Sequence, residues 1–290
     1  MIEFSYREMT TRNRGFVTED EQERLRGGSV FIPGVGGMGG AAFMALVRAG
    51  VGSFVIADID DFEVSNLNRQ LFATLDTVGR GKAEAARDGA LRINPDARVL
   101  VHGGEWTVQL DDILQQVDVV INGMDDAAAG VHLYRRAKAH GKTVIDAYAS
   151  PLPSVTRVGP AAPRLEERLS YPTVGVEWQA VTPGMKIECL MREIEYVLVH
   201  SSSHKYVDLD IAGEVAAGTR SRFSFSTMVT MAGTMMAEEA IRVILRREGG
   251  ADHRGWFFNP HAGRVEKPLP AVLAAPKKLV VRRFMKRFMS

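Results

Sequence analysis

The first half of the chain alternates short apolar runs with longer amphipathic stretches. "SVFIPGVGGMGG" (29–40) runs an apolar strand into clustered glycines, and "AAFMALVRAG" (41–50) continues as a helix stopped by Gly50. "SFVIAD" (53–58) reads as a second strand ending on Asp58. In "VGRGKAEAARDGALRINP" (78–95), Ala83, Ala86, Ala90 and Ile93 share one helical face, and Pro95 closes the helix. "RVLVHG" (98–103), "VDVVING" (117–123) and "TVIDAYA" (143–149) predict further strands, with a helix over "AAAGVHLYRRAKAHG" ending at Gly141. Strands alternating with helices predict an α/β fold built on a doubly wound, mostly parallel sheet.

Beyond residue 150 the pattern changes. Pro151, Pro153, Pro160, Pro163, Pro172 and Pro183 crowd residues 150–183, too many for regular helix, which predicts a long crossover or lid segment. "MKIECLMREIEYVLV" (185–199) places Ile187, Leu190, Met191, Ile194, Val197 and Leu198 at helical spacing, the signature of an amphipathic helix. "FSTMVTMAGTMMAEEAIRVILRR" (225–247) is apolar in its first half and amphipathic later, as in a helix driven into the core with its last turns in water. "GWFFNPHAGRVEKPLP" (255–270) predicts a closing hairpin. In "PKKLVVRRFMKRFMS" (276–290), Lys278, Arg282 and Lys286 recur every four residues, as do Val280, Phe284 and Phe288. That spacing predicts a short helix with one cationic and one apolar face, able to pack on its own domain or to touch an acidic partner or an anionic membrane.

Composition narrows the picture. The 290 residues carry neither an internal repeat nor a low-complexity linker, which fits one domain over 1–290. Within it we distinguish an N-terminal arm (1–28), a variable substrate or crossover region (150–222) and a basic tail (271–290). The 36 Lys+Arg against 35 Asp+Glu leave a net charge of +1, so nothing global favours a nucleic-acid partner. A single cysteine, Cys189, rules out an intrachain disulfide framework and fits a reducing compartment. The charged N-terminus and the lack of an apolar run of roughly 18 residues lead us to expect a soluble, cytoplasmic protein.

The chemistry gathers at the ends of the predicted strands. Gly34, Gly36, Gly37 and Gly39 occupy a strand-to-helix turn, where glycines let backbone approach phosphate oxygens and the helix N-terminus offers free N–H groups. Asp58 lies where a Rossmann-like acid bonds ribose hydroxyls, so an NAD(P)-dependent oxidoreductase shares the pattern to this point. The loop "DIDDFEVSNLNRQ" (58–70) then goes further than a nicotinamide site requires. Asn66 can donate to a phosphate oxygen, Arg69 and Lys82 supply cations, and Asp125 or Asp126 can hold Mg²⁺. Together these suit a triphosphate attacked at its α-phosphorus.

The succession "GVGGMGG", "DIDDFEVSNLNRQ", "VGRGKAEAARDGALRINP" and "GMDD" resembles the ThiF/MoeB-type adenylyltransferases of the ubiquitin-activating-enzyme (E1-like) superfamily. The resemblance covers about residues 12–150 and resumes more weakly at "MAEEAIRVIL" and "GWFFNPHAGRV". It implies an ATP- and Mg²⁺-dependent enzyme that adenylates a carboxylate, the C-terminus of a ubiquitin-like or sulfur-carrier protein or of a peptide, to give an acyl-adenylate. By the same resemblance Asp58 would bond the ribose, and Asn66, Arg69 and Lys82 the phosphates, with Asp60 and Gln70 in the same nucleotide-binding set. Asp125 would take Mg²⁺. The family also implies a homodimer in which an arginine of the partner's arm, Arg12 or else Arg14, reaches the phosphates. A catalytically silent scaffold subunit is the remaining reading of the same pattern.

Two departures from the family follow from the cysteine count. The two CxxC pairs that hold structural zinc in many relatives have no counterpart, so no such zinc is expected. Cys189 is the one residue able to take an acyl group as a thioester, but its place in the apolar-periodic "IECLMREI" predicts a buried structural thiol. His200, His204 and Lys205 fit a polar loop between elements, the methionines of 228–236 fit core packing, and His253 and His261 lack metal-like spacing.

Overall fold

A computed structural model describes residues 3–216 and 219–289. The strands are β1 (Ser29–Pro33), β2 (Ser53–Ala57), β3 (Arg98–His102), β4 (Val119–Ile121), β5 (Thr143–Asp146), β6 (Ser154–Val158), β7 (Trp256–Asn259) and β8 (Arg264–Glu266). They form one sheet of eight strands in the order β3-β2-β1-β4-β5-β6-β7-β8. The strands from β1 to β5 pair in parallel, and β6, β7 and β8 are added antiparallel. Chain order reverses between β1 and β4, the switch point at which such sheets open a crevice beyond their carboxyl ends.

The helices are α1 (Tyr6–Met9), α2 (Glu19–Gly27), α3 (Gly37–Ala49), α4 (Lys82–Leu91), α5 (Trp106–Gln116), α6 (Ala127–Ala139), α7 (Leu165–Arg168), α8 (Pro183–His200), α9 (Leu209–Ala216), α10 (Ser226–Ile244) and α11 (Ala271–Met289). Alternation along β1 explains how they divide. Val30 and Ile32 face a core shared with Phe43 and Leu46 of α3, the alanines of α4, and Met236 and Ala240 of α10. Phe31 faces the other layer, with Trp106 and Leu110 of α5 and Tyr134 of α6. Gly50 ends α3 in the left-handed conformation, φ 91°, as its sequence position predicts.

Several expectations are corrected. Residues 150–183 are not a plain crossover: "SVTRV" (154–158) is a strand paired with both β5 and β7. In α8 the buried positions are Cys189, Met191, Val197 and Val199, while Ile187 stands 59% exposed. Helix α10 is buried through its middle, from Ala232 to Ala240, rather than through its first half. The arm is folded: Thr18 and Glu21 form a capping box on α2, and Tyr6 Oη donates to Gly50 O at 2.7 Å.

The tail forms α11 and packs on α8. Val281 and Met285 sit against Met191 and Val199, with Phe284 partly buried beside them, whereas Val280 is exposed. Lys278 and Arg282 both pair with Glu195 of α8, at 3.1 and 2.8 Å. The domain's own surface therefore takes Val281, Met285 and Phe284, a stripe shifted from the expected one through Val280, together with two of the cations. The side chains of Lys286 and Phe288 lie outside the described residues.

Candidate nucleotide site

Strand register builds the site. Ile32 pairs with Ile56 and Phe31 with Val120, so one step past the strand ends Gly34 lies between Asp58 and Gly123. The Gly34 N–H donates to Ala57 O at 2.7 Å, and Gly123 N–H donates to Pro33 O at 2.9 Å. Gly34 adopts φ 84°, and a Cβ on it would lie 2.5 Å from the Gly123 carbonyl carbon. A Cβ on Gly39 would come within 1.9 Å of Gly34 O. The two backbones therefore touch, which no other residue type at these positions permits.

No side chain caps α3 at Gly36, so the N–H groups of its first turn, beginning at Gly37, are left for a ligand. Gln70 is buried beside Gly36, and its Oε1 has no hydrogen-bond partner. Asp58 Oδ2 accepts from Val35 N–H at 2.9 Å, and its Oδ1 accepts from Asp60 N–H at 3.1 Å. Burial pushes the Asp58 carboxyl above its ordinary range, against those N–H groups and Lys82. Lys82, at the start of α4, is buried and donates to Asp60 Oδ2 at 2.8 Å. A ladder of bonds thus ties this cation to the glycine turn through Asp60 and Asp58.

The other wall is the loop from Asn122 to Asp126. The sequence leaves two carboxylates here, and the structure separates them. Asp126 caps α6 through Ala129 N–H and forms an ion pair with Lys186 of α8. Burial alone would raise its carboxyl, but these bonds hold it below its ordinary range. Asp125 is exposed and has no hydrogen-bond or ion-pair partner among the described residues. One free carboxylate at the mouth of the crevice is a donor that Mg²⁺ could use, since that ion is commonly held by one or two carboxylates with substrate phosphates. No group of three or more His, Cys, Asp or Glu able to hold a metal by itself occurs among the described residues.

Not every expected residue points into this crevice. Asn66 is buried in its own turn, its Oδ1 accepting from Glu63 N–H and its amide nitrogen 3.3 Å from Ser65 Oγ. Arg69 is half-buried, with Nη1 bonded to Ser65 O and Asn68 Oδ1, both at 2.9 Å. Asn68 in turn donates to Ser224 O at 3.0 Å, which ties the loop to the chain just before α10. Arg12 is not brought to the site. The arm is bonded to the opposite end of α3, through Tyr6 to Gly50 O and Asn13 to Ala49 O. Arg12 has no partner among the described residues, whereas Arg14 pairs with Glu19.

Three contributors escaped the sequence reading. Gly123 matches Gly34 across the crevice. Asn122 and Asp146 are polar residues ending adjacent apolar strands, and their bond at 2.9 Å required the β4–β5 register to be known. Cys189 is 1% exposed, and burial pushes its thiol up to about 11, as expected of a structural residue. His200 accepts from Leu269 N–H at 3.0 Å, and burial lowers it to about 4, so it stays neutral as part of the scaffold.

An open, mostly parallel sheet with a glycine turn, an acid just past the end of β2, a buried lysine and a free carboxylate at its switch point is the layout of an α/β nucleotide-binding domain. Residues 10–271 match the ThiF family, and the chain belongs to it. It is 37% identical over 133 residues to the molybdopterin-synthase adenylyltransferase of Escherichia coli K12, covering 44% of this chain and 53% of that protein. The chain spans about a third to about half the length of the curated relatives it matches first. Among solved structures, PaaA superposes with a TM-score of 0.61 at 19% identity, over 92% of this chain and 84% of that one. The microcin C7 biosynthetic enzyme MccB in complex with N-formylated MccA gives 0.60 at 17%, over 86% and 66%. At these identities the likeness is one of fold.

Proposed function

We propose that this chain is an ATP- and Mg²⁺-dependent adenylyltransferase that activates a carboxylate at the C-terminus of a ubiquitin-like or sulfur-carrier protein, or of a peptide. The carrying observation is that two bonded paths meet at the glycine turn. One brings the buried Lys82 cation through Asp60 and Asp58, and the other brings the uncommitted Asp125 through Gly123. A nicotinamide site uses neither group. The substrate class is supported by relatives named for it, the molybdopterin-synthase and sulfur-carrier-protein ThiS adenylyltransferases of E. coli.

In this reading a carboxylate oxygen displaces pyrophosphate from the α-phosphorus of ATP. Lys82 and the N–H groups of the first turn of α3 neutralise the charge that grows on the phosphoryl oxygens, joined by Arg69 once its guanidinium leaves Ser65 O and Asn68 for the phosphates of bound ATP. Asp58 bonds the ribose, and Asp125 would hold Mg²⁺, whose charge offsets that of the leaving pyrophosphate. Arg12, held at the far end of α3 in its own subunit, acts on the site of a second copy in a homodimer.

Pyrophosphate exchange into ATP, driven by a panel of carrier proteins and peptides with free C-termini, tests the reading. Lys82→Ala or Arg69→Ala should lower exchange at least about a hundredfold, the scale of losing one transition-state charge donor. Near-normal exchange in both variants, or tighter binding of NAD than of ATP by the wild type, would refute it. Mixing Lys82→Ala with Arg12→Ala subunits should restore part of the activity, and a monomer without complementation would remove Arg12 from the site.

A further inference from the structure

Of the polar side chains between Asn122 and Asp126, that of Asp125 alone has no partner among the described residues. Gly123 N–H is bonded to β1, Met124 N–H donates to Asn122 Oδ1 at 3.3 Å, and Asp126 caps α6. The turn that presents Asp125 is thus closed on the side chain of Asn122. That side chain is an amide, whose two ends are nearly equal in shape and opposite in hydrogen bonding. Only one orientation places its oxygen against Met124 N–H, and something must select it.

Asp146 makes the selection. Its Oδ2 accepts from Asn122 Nδ2 at 2.9 Å and from Tyr134 Oη at 2.8 Å, and its Oδ1 accepts from Ala147 N–H at 2.7 Å. The residue is buried and has no cation within 4 Å among the described residues. A buried carboxylate with no cation in contact, and only the charge of Arg168 farther off, is costly, so its presence calls for a reason beyond packing. An ionised carboxylate accepts only and satisfies all three donors. An asparagine there would aim an N–H₂ at one of them.

Resting on the adenylyltransferase reading, we propose that Asp146 is a positioning residue. By fixing the amide of Asn122 it holds the turn at Met124, and so aims the Asp125 carboxylate at the divalent cation bound with ATP. Asp146 touches neither nucleotide nor metal. Tyr134 Oη ties the same carboxylate to α6, the helix that follows the turn, so both ends of the Asp125 loop are referred to one group.

The test uses the full chain with α,β-methylene-ATP, titrated with Mn²⁺ and followed by the electron paramagnetic resonance signal of free Mn²⁺. Asp146→Asn should weaken Mn²⁺ binding to the protein–nucleotide complex by about tenfold or more, the scale seen when support for a metal ligand is removed. Nucleotide binding without metal should change by less than about twofold. Asn122→Ala should give the same loss, and the double variant should lose no more than either single one, because both act along one path. Wild-type Mn²⁺ affinity in Asp146→Asn, or in Asn122→Ala should the first variant not fold, overturns the inference while leaving the enzyme reading standing. Additive losses in the double variant overturn it too. Failure of the wild type to bind nucleotide and Mn²⁺ together removes both.

Discussion

Gly39→Ala sets two effects of opposite sign against each other. Gly39 lies in the first turn of α3, where alanine in place of glycine normally stabilises a helix by about 1 kcal/mol. Here the added Cβ would sit 1.9 Å from Gly34 O and 3.2 Å from Gly123 Cα, so the turn must open by more than about 1 Å. Overpacking of that kind costs about 1–3 kcal/mol, or roughly 2–12 °C in Tm for a chain of this size. The displaced turn also withdraws at least one N–H from the phosphates, a charge-assisted bond of about 1.5–3 kcal/mol, so Kd for ATP should rise at least about tenfold. Differential scanning fluorimetry and isothermal titration calorimetry measure the two quantities. Gly159→Ala is the control, because nothing lies within 4 Å of its added Cβ. A Gly39→Ala protein matching that control in both Tm and Kd would show that the two loops do not touch as described.

Native Cys189 should resist iodoacetamide at pH 8 and become labelled only on unfolding, and Cys189→Ser should retain pyrophosphate exchange; a thioester trapped on Cys189 would contradict this. His200 has a folded value of about 4 against an ordinary 6.5, so the stability it contributes is complete above pH 6.5 and is lost as pH falls toward 4. Melting curves across that window should show the decline, and His200→Gln should flatten it; an unchanged slope would deny His200 the role. Ending the chain after Pro270 should lower Tm by uncovering Met191 and Val199, whereas Glu195→Ala should cost no more than about 1 kcal/mol, since its cations are half exposed. An unchanged Tm in the truncated chain would mean that α11 does not pack on α8.

The parallel half of the fold was legible because each signal was local. An apolar run entering glycines marks β1 and the start of α3, and Gly50 marks its end. What stayed hidden depends on partners distant in sequence. Prolines argue against helix in 150–183 but do not forbid a strand between them, and β6 is recognised only by its pairing to β7. Helix α8 buries one stripe against Tyr148 and Phe257 and another against α11, so a single helical phase misplaced Ile187. At the site, sequence spacing brought Asp58, Lys82 and the glycines together but could not choose between Asp125 and Asp126. A helix cap and the reach of Lys186 commit Asp126 and leave Asp125 free.

The pairing of Val155 with Trp256 closes a loop of about a hundred residues that contains α7, α8, α9 and α10. Closure entropy grows only with the logarithm of loop length, so even doubling this segment would cost roughly 0.6 kcal/mol. The nucleotide crevice, by contrast, is assembled from β1, β2 and β4, which complete their register before that loop begins. Insertions between β6 and the start of α10 are therefore cheap for the sheet and leave the glycine turn in register, whereas α10 itself is held in the core. The chain is built so that the segment between β6 and α10 can diverge at a rate the glycine-rich edge of the sheet cannot follow.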